Sequence, residues 1–276
     1  MTGADLSSPA ALAGGAVAHE LEHRYGERVH VLDCPWTNAA LARVSAPDCT
    51  YTELVAAVRA ATVRLVTEAI AAELPTEVRA QTTRMADSDP ARGVWRGRVP
   101  SAAPSIVVLD VIRGGMLPAQ AAFDHLALVH PLERLRLDHL SMERIAGDDG
   151  RVSRVELCGA KVGGSTAGSI VLVPDPMGAT GSTVVRAFEH LVEHHGRPAA
   201  LVALPLIATP EFVTAVRDLD PCTRVWAGRL DRGASSAAAL ERLPGELPAE
   251  ESGLDERDYI LPGAGGLGEL LNNSWG

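Results

Sequence analysis

Residues 170–196, IVLVPDPMGATGSTVVRAFEHLVEHHG, constrain this chain more than any other stretch. Ile170 to Val173 has the short, apolar, β-branched character of an interior parallel strand. A single carboxylate, Asp175, closes it, and Gly178, Ala179, Thr180, Gly181, Ser182 and Thr183 follow without bulk. Val184, Val185, Phe188, Leu191 and Val192 then recur at helical spacing until Gly196. A strand, a turn of small residues and a helix start make an anion cradle. Backbone N–H groups converge on the turn, the helix dipole favours negative charge, and hydroxyls add donors. A phosphate is the first anion to expect there.

The same alternation runs along the chain. Residues 51–74, stopped by Pro75, form an amphipathic helix carrying Leu54, Val55, Val58, Leu65, Val66 and Ile70 on its apolar side. Residues 86–104 are rich in Pro and Gly and read as an exposed connection. SIVVLDVIRGG at 105–115 is a second interior strand, ending in Arg113, Gly114 and Gly115, with a helix after it. RVSRVELCGAKVGG at 151–164 suggests a hairpin or flap. A third strand, a helix and a fourth strand, CTRVWAGRLD, follow the 170–196 unit. Strands alternating with helices give a mostly parallel twisted sheet flanked by helices, an α/β fold. Its ligands bind where strand ends meet loops. The chain divides into an arm over 1–24 that runs toward a helix near AVAHELEHRYG at 16–26, and one domain over 25–276, with 234–250 as an insertion or an exposed short helix.

At 276 residues the chain buries a sizeable core. Its net charge of −10 excludes a nucleic-acid binder, which needs a basic face, but leaves room for one small phosphorylated ligand. No apolar run reaches membrane-spanning length and the N-terminus lacks a signal-peptide pattern, so a cytoplasmic location is expected. The cysteines Cys34, Cys49, Cys158 and Cys222 have no zinc or disulfide spacing.

The 175–183 loop is neither a Walker A loop, since no Lys follows Gly181, nor a GxGxxG fingerprint. An acid just before such a loop suits a ribose 5-phosphate, with Asp175 on the sugar hydroxyls and the phosphate in the loop. HELEH at 19–23 matches HExxH literally. Its place in an arm without a third ligand makes it a chance match. His190, His194 and His195 read as solvated surface residues.

These residues together resemble the type I phosphoribosyltransferases, and specifically the uracil phosphoribosyltransferase family. DPMGATGST at 175–183 is similar to that family's DPMLATGGS loop for 5-phosphoribosyl diphosphate (PRPP), and VIRGGMLP at 111–118 to its ILRAGLGM strand end. YILPGAGGLGE at 259–269 lines up with YIVPGLGDAGD, preceded by GLDERD for a GLNE-like turn. The resemblance covers residues 25–276, apart from 234–250, and its three motifs fall in the family's order.

The resemblance implies a PRPP-dependent transferase that releases pyrophosphate, working with Mg²⁺ held through PRPP and not by the protein directly. The partners it implies are PRPP and a uracil-like acceptor, in a homodimer or higher homo-oligomer. Asp175 would contact the ribose hydroxyls and Arg113 the diphosphate, with Arg144 as a second cation. Pro176, Met177, Gly178, Ala179, Thr180, Gly181, Ser182 and Thr183 would complete the PRPP site. Tyr259, Ile260, Gly265, Gly266 and Leu267 would meet the acceptor base, and a flap over 144–168 would exclude water. Gly266 stands where the family has Asp, Leu270 replaces a basic residue, and Gly178 replaces a Leu and loosens the loop. Those departures leave three readings open: a uracil-type transferase, a transferase with another planar heterocycle as acceptor, and a PRPP-sensing regulator without turnover.

Overall fold

A computed structural model describes residues 19–146 and 152–274. In chain order, β1 (Val29–Val31) leads to α1 (Pro35–Val44) and α2 (Tyr51–Glu73). A hairpin of β2 (Thr76–Thr82) and β3 (Val94–Pro100) comes next, then β4 (Ile106–Ile112), α3 (Met116–Leu126), β5 (Leu135–Ala146) and β6 (Val152–Lys161). The second half holds β7 (Ile170–Gly178), α4 (Ser182–His194), β8 (Ala200–Ala208), α5 (Pro210–Leu219), β9 (Thr223–Ala227), β10 (Arg229–Leu230), α6 (Ala237–Leu240) and α7 (Leu267–Asn272).

The main sheet runs β1-β9-β8-β7-β4-β5-β6, with β10 beside β8. Every pairing in it is parallel except β5 with β6. One face packs Val108, Leu172, Val202 and Leu204 against α2, α3 and α7. The other packs Val107, Val171, Leu201 and Ala203 against α4 and α5. Successive residues of β4, β7 and β8 thus feed opposite cores, which is why these strands read as unbroken apolar runs and not as alternation. The chain leaves β4 toward β5 on one side and β7 toward β8 on the other, so β4 and β7 flank the topological switch point.

Several expectations change. Residues 94–100 are not connection but strand, paired residue for residue with 76–82 in a separate two-stranded sheet. Gly228 ends the expected fourth strand early, where a Cβ would lie 2.7 Å from the Leu206 carbonyl oxygen. Strand β1 escaped notice because three residues are too few for a period. HELEH is not helical: Glu20 bridges to Leu32, and its carboxylate takes a 2.7 Å bond from His30. Residues 1–18 of the arm and 147–151 of the flap lie outside the described residues. Among the described residues no helix is long and apolar enough to cross a membrane.

Thr209 ties the second half to the switch point. Its hydroxyl caps α5 by accepting from the Phe212 N–H at 3.1 Å, and it donates to the Ala179 carbonyl. Thr209 is fully buried. Thr209→Val keeps the shape but loses the cap and the bond to the half-buried Ala179 carbonyl, so urea unfolding should show a loss of about 2 kcal/mol.

Candidate functional site

Three segments meet beyond the ends of β4 and β7. The first is the turn from Arg113 to Gly115. A Cβ on Gly115 would fall 2.9 Å from Asp110 Oδ1 and from both the N and O of Val111, so only glycine fits there. The turn delivers an exposed Arg113 whose guanidinium donates to Ser274 Oγ at 2.7 Å, while Asn272 Nδ2 reaches its carbonyl at 3.4 Å. The second segment is the end of β7. The third is the loop before α7.

Gly114 is the meeting point. A Cβ there would stand 3.6 Å from the Pro176 ring, and a Cβ on Gly268 would stand 3.7 Å from the Gly114 Cα. The Arg113 turn thus lies between the Asp175 strand and the C-terminal segment, close against both.

Strand β7 continues through Asp175, Pro176, Met177 and Gly178, paired with Pro205 to Ala208 of β8, where the sequence suggested a loop. The cause is one-sided pairing. On the β4 side the ladder stops at Val108 with Leu172, so Pro174 and Pro176 sit along an unpaired edge where a missing N–H costs little. Asp175 Oδ1 accepts from the Met177 N–H at 2.9 Å, which fixes the carboxylate at the strand end. Gly178 is not loose either. Phe212 ring atoms lie 2.8 and 2.9 Å from where its Cβ would be, so that ring fills the space of the side chain.

The loop proper shrinks to Ala179, Thr180 and Gly181. Gly181, at φ 82°, is the N-cap of α4, and no side chain caps that helix. Thr180 Oγ1 and Ser182 Oγ lie 2.8 Å apart, and the Ser182 N–H points to the Thr180 hydroxyl. Ser182 and Thr183 form the first helical turn. Uncapped N–H groups at a 13-residue helix start, with hydroxyls beside them, stand where the sequence leads one to expect an anion cradle.

Ile260 is buried in the core, whereas Tyr259 is 58% exposed and turned outward. Leu267 is buried at the start of α7, behind Gly265 and Gly266. The Glu269 carboxylate folds back over Gly266, its Oε2 2.5 Å from the position of an added Cβ. Arg144 lies on β5 opposite Val155, beyond the last β4–β5 pair of Ile112 with Ser141, on the same edge of the sheet.

Sequence reasoning missed the residues that hold this loop in place. Asp231 is buried, accepts from the Gly263 N–H at 2.8 Å, and takes both Nε and Nη2 of Arg229 at 2.6 and 2.8 Å. Arg229 also donates to the Gly263 carbonyl. The RLD pattern after a strand was the available signal. Asp110 and His139 were missed as well, since an acid inside an apolar run is hard to place without its partner. His190, expected in solvent, is buried with its Nε2 unpartnered.

The arrangement offers unpaired N–H groups and hydroxyls at the start of α4, a carboxylate four residues before Ala179, an exposed guanidinium, and a fixed backbone loop facing them. That set suits a sugar phosphate bearing a second anionic group, with a flat polar acceptor against the loop.

A family model described as uracil phosphoribosyltransferase matches residues 31–245. Among curated relatives, the uracil phosphoribosyltransferase of Myxococcus xanthus is 31% identical over 166 residues, covering 60% of this chain and 64% of its own. That of Thermococcus sibiricus is 26% identical over 167 residues, covering 60% and 58%. The matched stretches span less than two thirds of these relatives. The solved AQ2163 protein from Aquifex aeolicus has the same fold, with a TM-score of 0.65 over 88% of this chain and 97% of that one, at 20% identity.

Filling the Gly178 position tests the strand reading of this segment. Gly178→Ala must displace Phe212 or Pro205, so it should cost about 1–3 kcal/mol in chemical unfolding; an unchanged midpoint would mean the strand end is loose.

Proposed function

The chain belongs to the uracil phosphoribosyltransferase family, and we propose that it transfers the 5-phosphoribosyl group of PRPP to uracil, releasing pyrophosphate and forming UMP. The observation that carries this reading is the convergence of Asp175, the Ala179 to Thr183 cradle and Arg113 at the switch point, with the α7 loop facing them. In this reading the cradle and the α4 N-terminus hold the 5-phosphate. Asp175 takes the ribose hydroxyls and fixes C1 in line with the acceptor nitrogen. Arg113 and Arg144 receive the charge that builds on the departing diphosphate. The uracil N1–C1 bond forms as the C1–O bond breaks, and the N1 proton leaves to solvent. Ile260 and the backbone from Gly265 to Leu267 present donors to a ring that carries anionic character. Tyr259 borders the entrance.

Mg²⁺ fits as a companion of PRPP. Among the described residues no group of His, Cys, Asp and Glu side chains forms a metal cage. An octahedral ion that keeps waters and binds substrate phosphates needs none. Bound there, it would neutralise the leaving diphosphate.

The carboxylate of Glu269 above Gly266 favours a second reading, in which the acceptor is another small planar heterocycle. We place the protein in the cytoplasm, in pyrimidine salvage, as a homo-oligomer, with residues 25–276 as one domain, 234–250 inserted and 1–24 as an arm.

Pyrophosphate release from PRPP and Mg²⁺, measured with and without uracil, tests the reading. Release should need uracil and fall at least about a hundredfold in Asp175→Asn, given what one transition-state contact contributes. PRPP binding without uracil-dependent release would reject uracil as acceptor and direct the search to other heterocycles, then to a regulator.

A further inference from the structure

Asp110 is a buried carboxyl that the transfer chemistry leaves unused. It lies on β4 in register with His139 of β5 and is 3% exposed. Its Oδ2 accepts from His139 Nδ1 at 2.9 Å, whereas its Oδ1 has no hydrogen-bond partner. That free oxygen stands 2.9 Å from where a Cβ on Gly115 would be, behind the turn that presents Arg113 and at the uncapped start of α3. The His139 side chain is 41% exposed, so its ring is open to solvent on the side away from Asp110.

We propose that Asp110 and His139 share one proton that sets the charge behind the Arg113 turn, and thereby the affinity of the site for the diphosphate of its donor. The proposal rests on the reading of Arg113 as a diphosphate ligand. With the proton present the pair is neutral overall, whichever atom carries it; without the proton the pair holds one buried negative charge. Burial limits screening, so that charge acts on an anion at the neighbouring turn. The groups facing the pair are few. Lys161 stands opposite His139 on β6, Arg113 lies in the turn, and the first two turns of α3, MLPAQAAF, bring no charge. Asp110 and His139 act here through Arg113 and are positioning residues.

The test is calorimetric titration of PRPP with Mg²⁺ from pH 5.5 to 9, on wild type, Asp110→Asn, His139→Gln and the double variant. Dividing each profile by that of the double variant removes the ionisation of PRPP itself. Wild-type affinity should fall about fivefold as the shared proton leaves. Asp110→Asn should move that limb to lower pH, because the shared proton loses the anion that holds it. His139→Gln should bind at neutral pH as weakly as the wild type does at alkaline pH. If Asp110→Asn fails to fold, His139→Gln, at a half-exposed position, still decides the matter. Ratios that stay flat with pH overturn the proposal, as does equal weakening of every variant at every pH. Normal PRPP binding with no turnover for any acceptor would overturn the enzymatic reading and leave this one standing. Failure of the wild type to bind PRPP would overturn both.

Discussion

Strands β4 and β7 hydrogen-bond over only three residue pairs, from Ile106 with Ile170 to Val108 with Leu172, and the rest of the site follows from that short ladder. Beyond it each strand keeps its outer neighbour, β5 or β8, and loses its inner one. A cleft therefore opens within the sheet at its switch point, where two chain directions diverge. Arg113 and Asp175 stand on its two banks, Arg113 just past the end of β4 and Asp175 on the stretch of β7 that has lost its β4 neighbour. Pro174 and Pro176 are tolerated for the same reason, and Gly114 narrows the cleft again by lying against the Pro176 ring.

The C-terminal loop that faces this cleft is fixed by buried polar contacts as well as by the apolar packing of Ile260, Ala264 and Leu267. Asp231 and Arg229 hold both backbone groups of Gly263. Glu251 accepts from Tyr25 Oη at 2.7 Å, from the Gly245 N–H and from Arg232, so the N-terminal segment, the 234–250 segment and the loop share one anchor. Burial and that carboxylate push the Tyr25 phenol far above its usual range, which leaves it a donor at any working pH. Each member of this network is satisfied by the others, so removing one strands its partner in a dry environment.

Much of this was legible from residue spacing. Helix α2 announced itself through its apolar stripe and Pro75, and the 170–196 unit through its strand, its small residues and its helix period. What escaped had physical causes. The strand character of Asp175 to Gly178 depends on having β8 on one side and nothing on the other, a fact about neighbours far away in sequence. The space above Gly178 belongs to Phe212, and the space above Gly266 to Glu269. A glycine in a sequence shows that room exists without showing who occupies it. Asp110 is an acid inside an apolar strand, and the partner that explains it, His139, stands beside it only through the β4–β5 register.

The 234–250 segment leaves and returns through one narrow neck. The Ala234 N–H donates to the Ser252 carbonyl and the Ser236 N–H to the Glu250 carbonyl, each at 3.0 Å. Seen from the loop beyond, the excursion is no longer than a hairpin turn, whatever its contour. Closure entropy grows only with the logarithm of length once such a neck is made. Pro244 and Gly245 bind back to Arg24 and Glu251, so the natural docking port for foreign sequence is the exposed Pro248–Ala249 junction beyond them: a peptide tag or a small folded domain spliced there would ride on the surface while the neck kept the geometry of the cleft.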